Sequence, residues 1–292
     1  MRLVWSPVLQ AWEADVVRQI LEQASEHDGV NAVGEPGRHA LDGEPGYAHL
    51  LAWAGDTVAG YASLVEPRAG HDPMAEVVVA PAMRRQGIGR QMITAVFERG
   101  GPSTRLWAHG DLEAARAAAA DLNLTVVREL LQLRRPLDEE FAVPDIPIRS
   151  YAGPSDDAEL LRVNNAAFAW HPEQGGWTQR EIDNRRESEW FDPGGLLIAP
   201  GPGDTIRGFH WTKRQPGSDL GEVYIVAVDP NQQGSGLGRA LTSAGLNYLR
   251  NNGTKTVALY VEGNNRPALA VYRDLGFKKH AVDVAYATNG PS

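Results

Sequence analysis

Apolar positions along the chain alternate between a strand period and a helix period, and the same succession of periods occurs twice. In the first half, Trp12, Val16, Ile20 and Ala24 recur every four residues, predicting a helix over residues 9–24 that stops at Asp28-Gly29. Residues 47–53 and 58–65 are strand-like, and Gly55-Asp56 between them predicts a hairpin. A valine strand follows from Glu76, then a helix, a strand over 105–108, an alanine-rich helix over 112–122 and a last strand over 124–133. Residues 136–147 hold Pro136, Pro144 and Pro147 among the acids Asp138, Glu139, Glu140 and Asp145, the composition of an interdomain linker. The second half repeats the order. A helix over 156–168 starts behind Ser155, an irregular loop over 171–177 leads to a capping box at Thr178 and Glu181, and strands are predicted over 196–199, 208–213, 223–228 and 257–261. A helix over 265–275 and a final strand over 277–286 complete it. The expected organisation is a domain at 1–137, a linker at 138–147 and a second domain at 148–292.

At 292 residues the chain can bury two cores. Its 28 basic and 37 acidic residues give a formal charge of −9, which argues against nonspecific binding to nucleic acid or anionic membranes, so an anionic ligand has to be caught locally. Cysteine is absent, excluding disulfides, thiolate metal sites and a cysteine nucleophile, and the eight histidines show no metal-ligand spacing. No apolar run approaches the ~18 residues of a membrane helix, and Met1-Arg2 is not followed by a signal-peptide core. A cytoplasmic monomer without metal is expected.

The two halves share one sharper motif. After the 223–228 strand, Asp229-Pro230 stops pairing, and Gln233, Gly234, Ser235, Gly236, Leu237, Gly238 and Arg239 open the next helix. Glycines let backbone N–H groups turn toward a ligand, and the positive end of the helix dipole lies behind them, which suits a pyrophosphate. Residues 76–97 repeat this. Val79, Pro81, Arg84, Gly87 and Gly89 match Val228, Pro230, Gln233, Gly236 and Gly238 at a constant offset of 149 positions. The spacing is not the G-x-G-x-x-G of dinucleotide-binding folds.

Both copies fit Gln/Arg-x-x-Gly-x-Gly, and the chain thereby resembles the GCN5-related N-acetyltransferases, whose loop of this form holds acetyl-CoA. The resemblance implies an α/β (α+β) fold of two tandem acetyltransferase domains, each a mixed, largely antiparallel sheet flanked by helices. It also implies acetyl-CoA along Val226, Ala227 and Val228, the 233–239 loop, and Asn265, Arg266, Pro267, Ala268, Leu269 and Ala270. In the first half the matching positions are Val77, Val78, Val79, Arg85, Gln86, Gly87, Ile88, Gly89 and Arg90. Gly234-Ser235 departs from the family, which tends to be basic there, so the pyrophosphate would rely more on backbone donors.

Acetyl transfer to an amine needs an oxyanion donor, a base for the ammonium and an acid for the leaving thiolate. A backbone N–H at Val226, Ala227 or Val228 is the expected oxyanion donor. Glu222, at the start of the strand, is the expected base. Tyr272, in an A-x-x-x-Y-x-x-x-G-F run that is the family's signature after this strand, is the expected acid. Long runs, among them 155–168, 171–178 and 208–213, bring the chain closest to tandem members of the family that acetylate the cysteinyl amine of a thiol-bearing cysteine-glucosamine-inositol pseudodisaccharide. Their substrate contacts fall on Glu35, Glu173, Lys213, Glu222 and Tyr260, with Glu35 supplied by the first domain. Other expectations kept open are the same chemistry on a protein N-terminus or another small amine, and an acyl-CoA-binding sensor without turnover. The first half carries Ala119 where the second carries Tyr272. The odd separation of Glu76 from Val79 predicts that Glu76 faces away from the site, leaving that half without a base as well.

Overall fold

A computed structural model describes residues 1–66, 72–170 and 174–288. In chain order the elements are β1 (Arg2–Ser6), α1 (Ala11–Asp28), α2 (Glu35–His39), β2 (Tyr47–Ala54), β3 (Thr57–Val65), β4 (Met74–Val79), α3 (Ile88–Gly100), β5 (Arg105–Ala108), α4 (Glu113–Asp121) and β6 (Leu124–Pro136). They continue with β7 (Arg149–Ser150), α5 (Asp157–Ala167), α6 (Gln179–Arg186), β8 (Leu196–Pro200), β9 (Ile206–Arg214), β10 (Leu220–Val228), α7 (Leu237–Asn251), β11 (Thr256–Glu262), α8 (Arg266–Asp274) and β12 (Lys278–Thr288). The short β1 and α2 carry too few periodic apolar positions to register in the pattern.

Two compact units result, and their boundaries differ from those expected. The first holds Met1–Leu130 together with the chain from Ala281, and the second holds Leu131–His280. In the first unit the strands run β1-β2-β3-β4-β5-β12, with Val284, Ala285 and Tyr286 of β12 antiparallel to Ala108, Trp107 and Leu106. The second runs β6-β11-β10-β9-β8-β7, taking the 131–136 portion of β6. Each unit's last strand therefore comes from the far half of the sequence. Alternation identifies a strand but does not name its neighbour.

The expected linker is a packed strap of the second unit. Leu137 and Phe141 are buried in a core with Val223, Leu246, Val257 and Phe277. The Phe141 N–H donates to the Asn247 side chain, and the Asn247 amide donates back to the Phe141 carbonyl. Proline and acid content gives this segment the composition of a linker, but its apolar residues Leu137 and Phe141 face inward.

In each unit one helix covers one sheet face at close range. On α7, Leu237, Ala240, Leu241, Leu246 and Leu249 are buried along one helical face. A Cβ placed on Gly245 would lie 2.1 Å from the ring of His210, so α7 touches β9 through a glycine. The opposite face carries Tyr151, Leu160, Val163, Ile182, Phe209 and Trp211. On the first sheet, α3 buries Ile88, Met92, Ile93 and Val96, while α1 buries Val17, Ile20, Leu21 and Ala24 in a separate cluster with Leu51 and Tyr61.

Candidate acetyl-transfer sites

In the second unit β10 pairs with β9 as far as Val228, whereas β10 and β11 pair in parallel, among the described residues, only at Leu220, Gly221 and Glu222. Beyond Glu222 the two strands separate. This leaves backbone donors and acceptors of β10 facing a gap at Val226, Ala227 and Val228. The β9 register shifts between Val223 and Ile225, a bulge at Tyr224. Val223, before the bulge, packs into the α7-side core, and Ile225, after it, into the opposite core.

The bulge decides which side each residue serves. Val226 and Val228 border the cores on the α7 side, whereas Glu222, adjacent to inward Val223 and directly opposite Lys213, faces the other way. On that second face Lys213 Nζ lies 5.3 Å from the Trp190 ring centroid and 5.2 Å from that of Tyr224. Tyr260 is half exposed, and its hydroxyl accepts a 2.7 Å hydrogen bond from Gln132. Lys213, Glu222 and Tyr260 thus lie on β9, β10 and β11, which are neighbours in the sheet. Glu173 lies outside the described residues. Glu35 begins α2 of the first unit.

The loop after β10 takes the form its sequence predicts. A one-turn helix, Pro230–Gln232, follows Asp229, Gln233 is extended, and Gly234 and Gly236 have φ of 77° and 81°. Those left-handed angles explain the glycines, and Gly236 is the N-cap of α7. Arg162 anchors the loop's base, reaching the Asp229 carboxylate at 2.5 Å and Glu159 at 2.8 Å. These contacts hold Asp229 and Glu159 below the usual carboxylate range. Asn265 caps α8, accepting from the Ala268 N–H at 3.2 Å. Tyr272 on α8 is partly buried beside the core that Val226 borders, its ring 5.6 Å from that of Phe277, and burial pushes its phenol up to about 12. It is protonated at neutral pH.

The first unit repeats this construction. Its loop has a matching one-turn helix, Pro81–Met83, an extended Arg84 and a left-handed Gly87 at φ 77°. Arg85 has φ 62°, the conformation of Gly234, but with a side chain at a cost on the order of 1 kcal/mol. Arg84 makes a bidentate pair with Asp28, both contacts 2.7 Å, and this holds the carboxyl low. A cavity of about 570 Å³ lies against the loop. Of the nine positions expected to hold acetyl-CoA here, it is lined by Val77, Val78, Val79, Arg85, Gly87, Ile88, Gly89 and Arg90; Gln86 is not among them.

Glu76 shares the facing of Glu222, not the opposite one that its odd separation from Val79 predicts. The parallel β4–β5 pairing ends at Glu76 opposite Trp107, as β10–β11 pairing ends at Glu222 opposite Ala258. Both glutamates are the last paired residues before the strands part, and both face away from the glycine-loop helix. β10 has a bulge between Glu222 and Val228 whereas β4, regular against β3, has none, so an odd separation from Val79 and an even one from Val228 give the same facing. Glu76 is nevertheless engaged. It accepts from the Gly34 N–H at 2.7 Å and from Ser63 at 3.3 Å, and lies 2.7 Å from His109 Nε2. His109 Nδ1 lies 3.2 Å from Asp283, which also accepts from the Gly110 N–H at 2.9 Å. Burial acts to lower the His109 pKa, but the Asp283 and Glu76 carboxylates outweigh it and hold the ring at about 9. His109 and Asp283 are 174 positions apart, and only a histidine directly after a predicted strand hinted at the cluster.

A strand that parts from its parallel neighbour after a glutamate and ends in a left-handed glycine loop is built twice in this chain. The acetyltransferase (GNAT) family model matches residues 14–121 and 163–277, and the chain belongs to that family. Mycothiol acetyltransferase of Rhodococcus erythropolis is 53% identical over 97% of this chain and 98% of its own length. That of Mycolicibacterium smegmatis is 50% identical over 98% of both. Among solved structures, a tandem GNAT protein from the clavulanic acid biosynthesis pathway superposes with a TM-score of 0.70 at 19% identity, covering 100% of both chains. A GCN5-related N-acetyltransferase from Sphaerobacter thermophilus gives 0.72 at 20%, covering 97% of this chain and 94% of that one. These two likenesses speak to the tandem fold alone. No helix among the described residues is long and apolar enough to cross a membrane, and none of their side chains form a group of three or more that could hold a metal ion.

Proposed function

We infer that this acetyl-CoA-dependent N-acetyltransferase makes mycothiol, moving acetyl to the cysteinyl amine of 1D-myo-inositol 2-(L-cysteinylamino)-2-deoxy-alpha-D-glucopyranoside and releasing CoA. The observation that carries the reading is the parting of β10 from β11 directly after Glu222, with Lys213 and Tyr260 on neighbouring strands and the glycine loop at the far end of β10. Glu222, directly or through a water, takes the proton of the substrate ammonium, whose pKa of about 7.7–8.0 makes the task modest. A backbone N–H at Val226, Ala227 or Val228 polarises the thioester carbonyl as the amine attacks. When the C–S bond breaks, Tyr272 gives its proton to the departing thiolate. The carboxylates, ammonium and phenol of this face suit a polyhydroxylated, amine-bearing acceptor.

The first unit, in this reading, holds acetyl-CoA without transferring it. Its cavity beside Arg85 and Arg90 supports binding. Ala119 on α4 in place of Tyr272, and a Glu76 already engaged by Gly34 and His109, argue against turnover. The protein acts, in this reading, as a cytoplasmic monomer, each unit burying a core of its own. Mass spectrometry of reactions with acetyl-CoA and a panel holding the pseudodisaccharide, glucosamine and N-terminal peptides tests the proposal. Acetylation of the pseudodisaccharide well above the others is expected. Acetylation of a peptide in its place would overturn the assignment.

A further inference from the structure

Beside Glu222, and under the Lys213 ammonium, the second unit carries three rings and an arginine that the mechanism above does not use. Trp190 and Tyr224 meet edge to face, ring centroids 5.2 Å apart and planes at 67°, and the Lys213 ammonium lies over both. The Tyr224 phenol accepts a 2.9 Å hydrogen bond from Arg185 Nε. Arg185 is itself fixed, its guanidinium 3.8 Å from the Trp177 ring centroid and its Nη1 donating to the Glu181 carbonyl at 2.8 Å. From Trp177 to Lys213 each group is located by the one before it.

The bulge leaves Tyr224 without a β9 partner while keeping it on the face it shares with Glu222. In an unbulged strand, residues 223 and 225 would share one face and 224 would lie opposite a β9 residue. Here Tyr224 has no partner of its own on β9, and its ring projects beside Glu222 onto Trp190. A free lysine side chain loses rotamer freedom when a ligand fixes it. An ammonium already resting on two aromatic faces has given up part of that freedom before the ligand arrives.

We propose that Trp190 and Tyr224, with Arg185 holding the phenol, form a seat that presents the Lys213 ammonium to a hydroxyl of the polyol part of the acceptor. They are positioning residues: they act on the acceptor through Lys213 and have no part in holding acetyl-CoA. The inference rests on the reading that Lys213 faces the acceptor, and the test separates the two.

Initial rates are measured for wild type, Lys213→Ala, Trp190→Leu, Trp190→Phe, Tyr224→Phe and the double variant Lys213→Ala/Trp190→Leu, varying each substrate in turn. Trp190→Leu is expected to raise KM for the pseudodisaccharide about tenfold, leaving kcat and the KM for acetyl-CoA within about twofold. Trp190→Phe, which keeps an aromatic face, should recover most of the loss, and Tyr224→Phe should raise the same KM about threefold. In the Lys213→Ala background Trp190→Leu should add less than about twofold, because the group it positions is gone. The same tenfold loss with and without Lys213 would overturn the seat, as would a rise in KM for acetyl-CoA. An unchanged acceptor KM in Lys213→Ala would remove the underlying reading as well. Should Trp190→Leu fail to fold, Trp190→Phe and Tyr224→Phe in the two backgrounds carry the same comparison.

Discussion

Replacing His109 by glutamine should flatten the alkaline side of the protein's stability profile. In the folded chain the ring sits between Glu76 and Asp283 with a pKa of about 9, above the ~6.5 of an unfolded histidine. A raised pKa means that the folded state holds the proton more tightly, so the contribution is complete below about pH 6.5 and disappears as pH rises through about 9. Integrating the linkage between those two values gives about 3 kcal/mol at pH 6, about 2.5 kcal/mol at pH 7 and about 0.4 kcal/mol at pH 9. Urea unfolding of the full chain from pH 6 to 10, for wild type and His109→Gln, measures it. Other groups titrate over this range, so the informative quantity is the wild-type minus variant difference for the transition that the variant moves. That difference should shrink by about 2 kcal/mol between pH 7 and 9. A difference independent of pH would refute the charged ring, and a difference growing with pH would reverse its sign.

Glu222→Gln should leave the fold and acetyl-CoA binding intact but lower the rate, most strongly below neutral pH where the acceptor amine is protonated; an unchanged pH–rate profile would remove Glu222 as base. Tyr272→Phe should slow turnover by roughly the 10²- to 10⁴-fold of a lost general acid, read in single-turnover measurements. Gly245→Ala sets a methyl against the fully buried ring of His210 and should cost about 1–3 kcal/mol, seen as a lowered melting temperature.

The loops were the most legible part of the chain, because left-handed angles at Gly87 and Gly236 leave a mark in the residue type itself. Helices with a continuous stripe, such as α1 and α7, were equally plain. Properties set by distant partners were not. Tyr224 reads as one more residue of an apolar strand, and nothing local announces that β9 skips it, so the facing of Glu76 relative to Glu222 was misjudged. The 136–147 segment has a linker's composition, yet Leu137 and Phe141 are buried. Arg135 shows the same limit: its side chain is buried, lies 2.9 Å from Glu139 and donates to the Leu275 carbonyl at the end of α8, 140 positions away.

The first unit borrows its sixth strand from the far end of the chain, and this sets a timetable for synthesis. When residue 130 has been made, 151 further positions separate the growing chain from Ala281. At ribosomal speeds of about 5–20 residues per second that is roughly 8 to 30 s. Throughout that interval Arg105–Ala108 presents an unpaired strand edge, a template for any other nascent chain nearby. His109 waits for its second carboxylate, and the cavity lacks the wall that Tyr286 supplies. The half of the protein made first is thus the half finished last, its sheet closed only after the second unit has been translated.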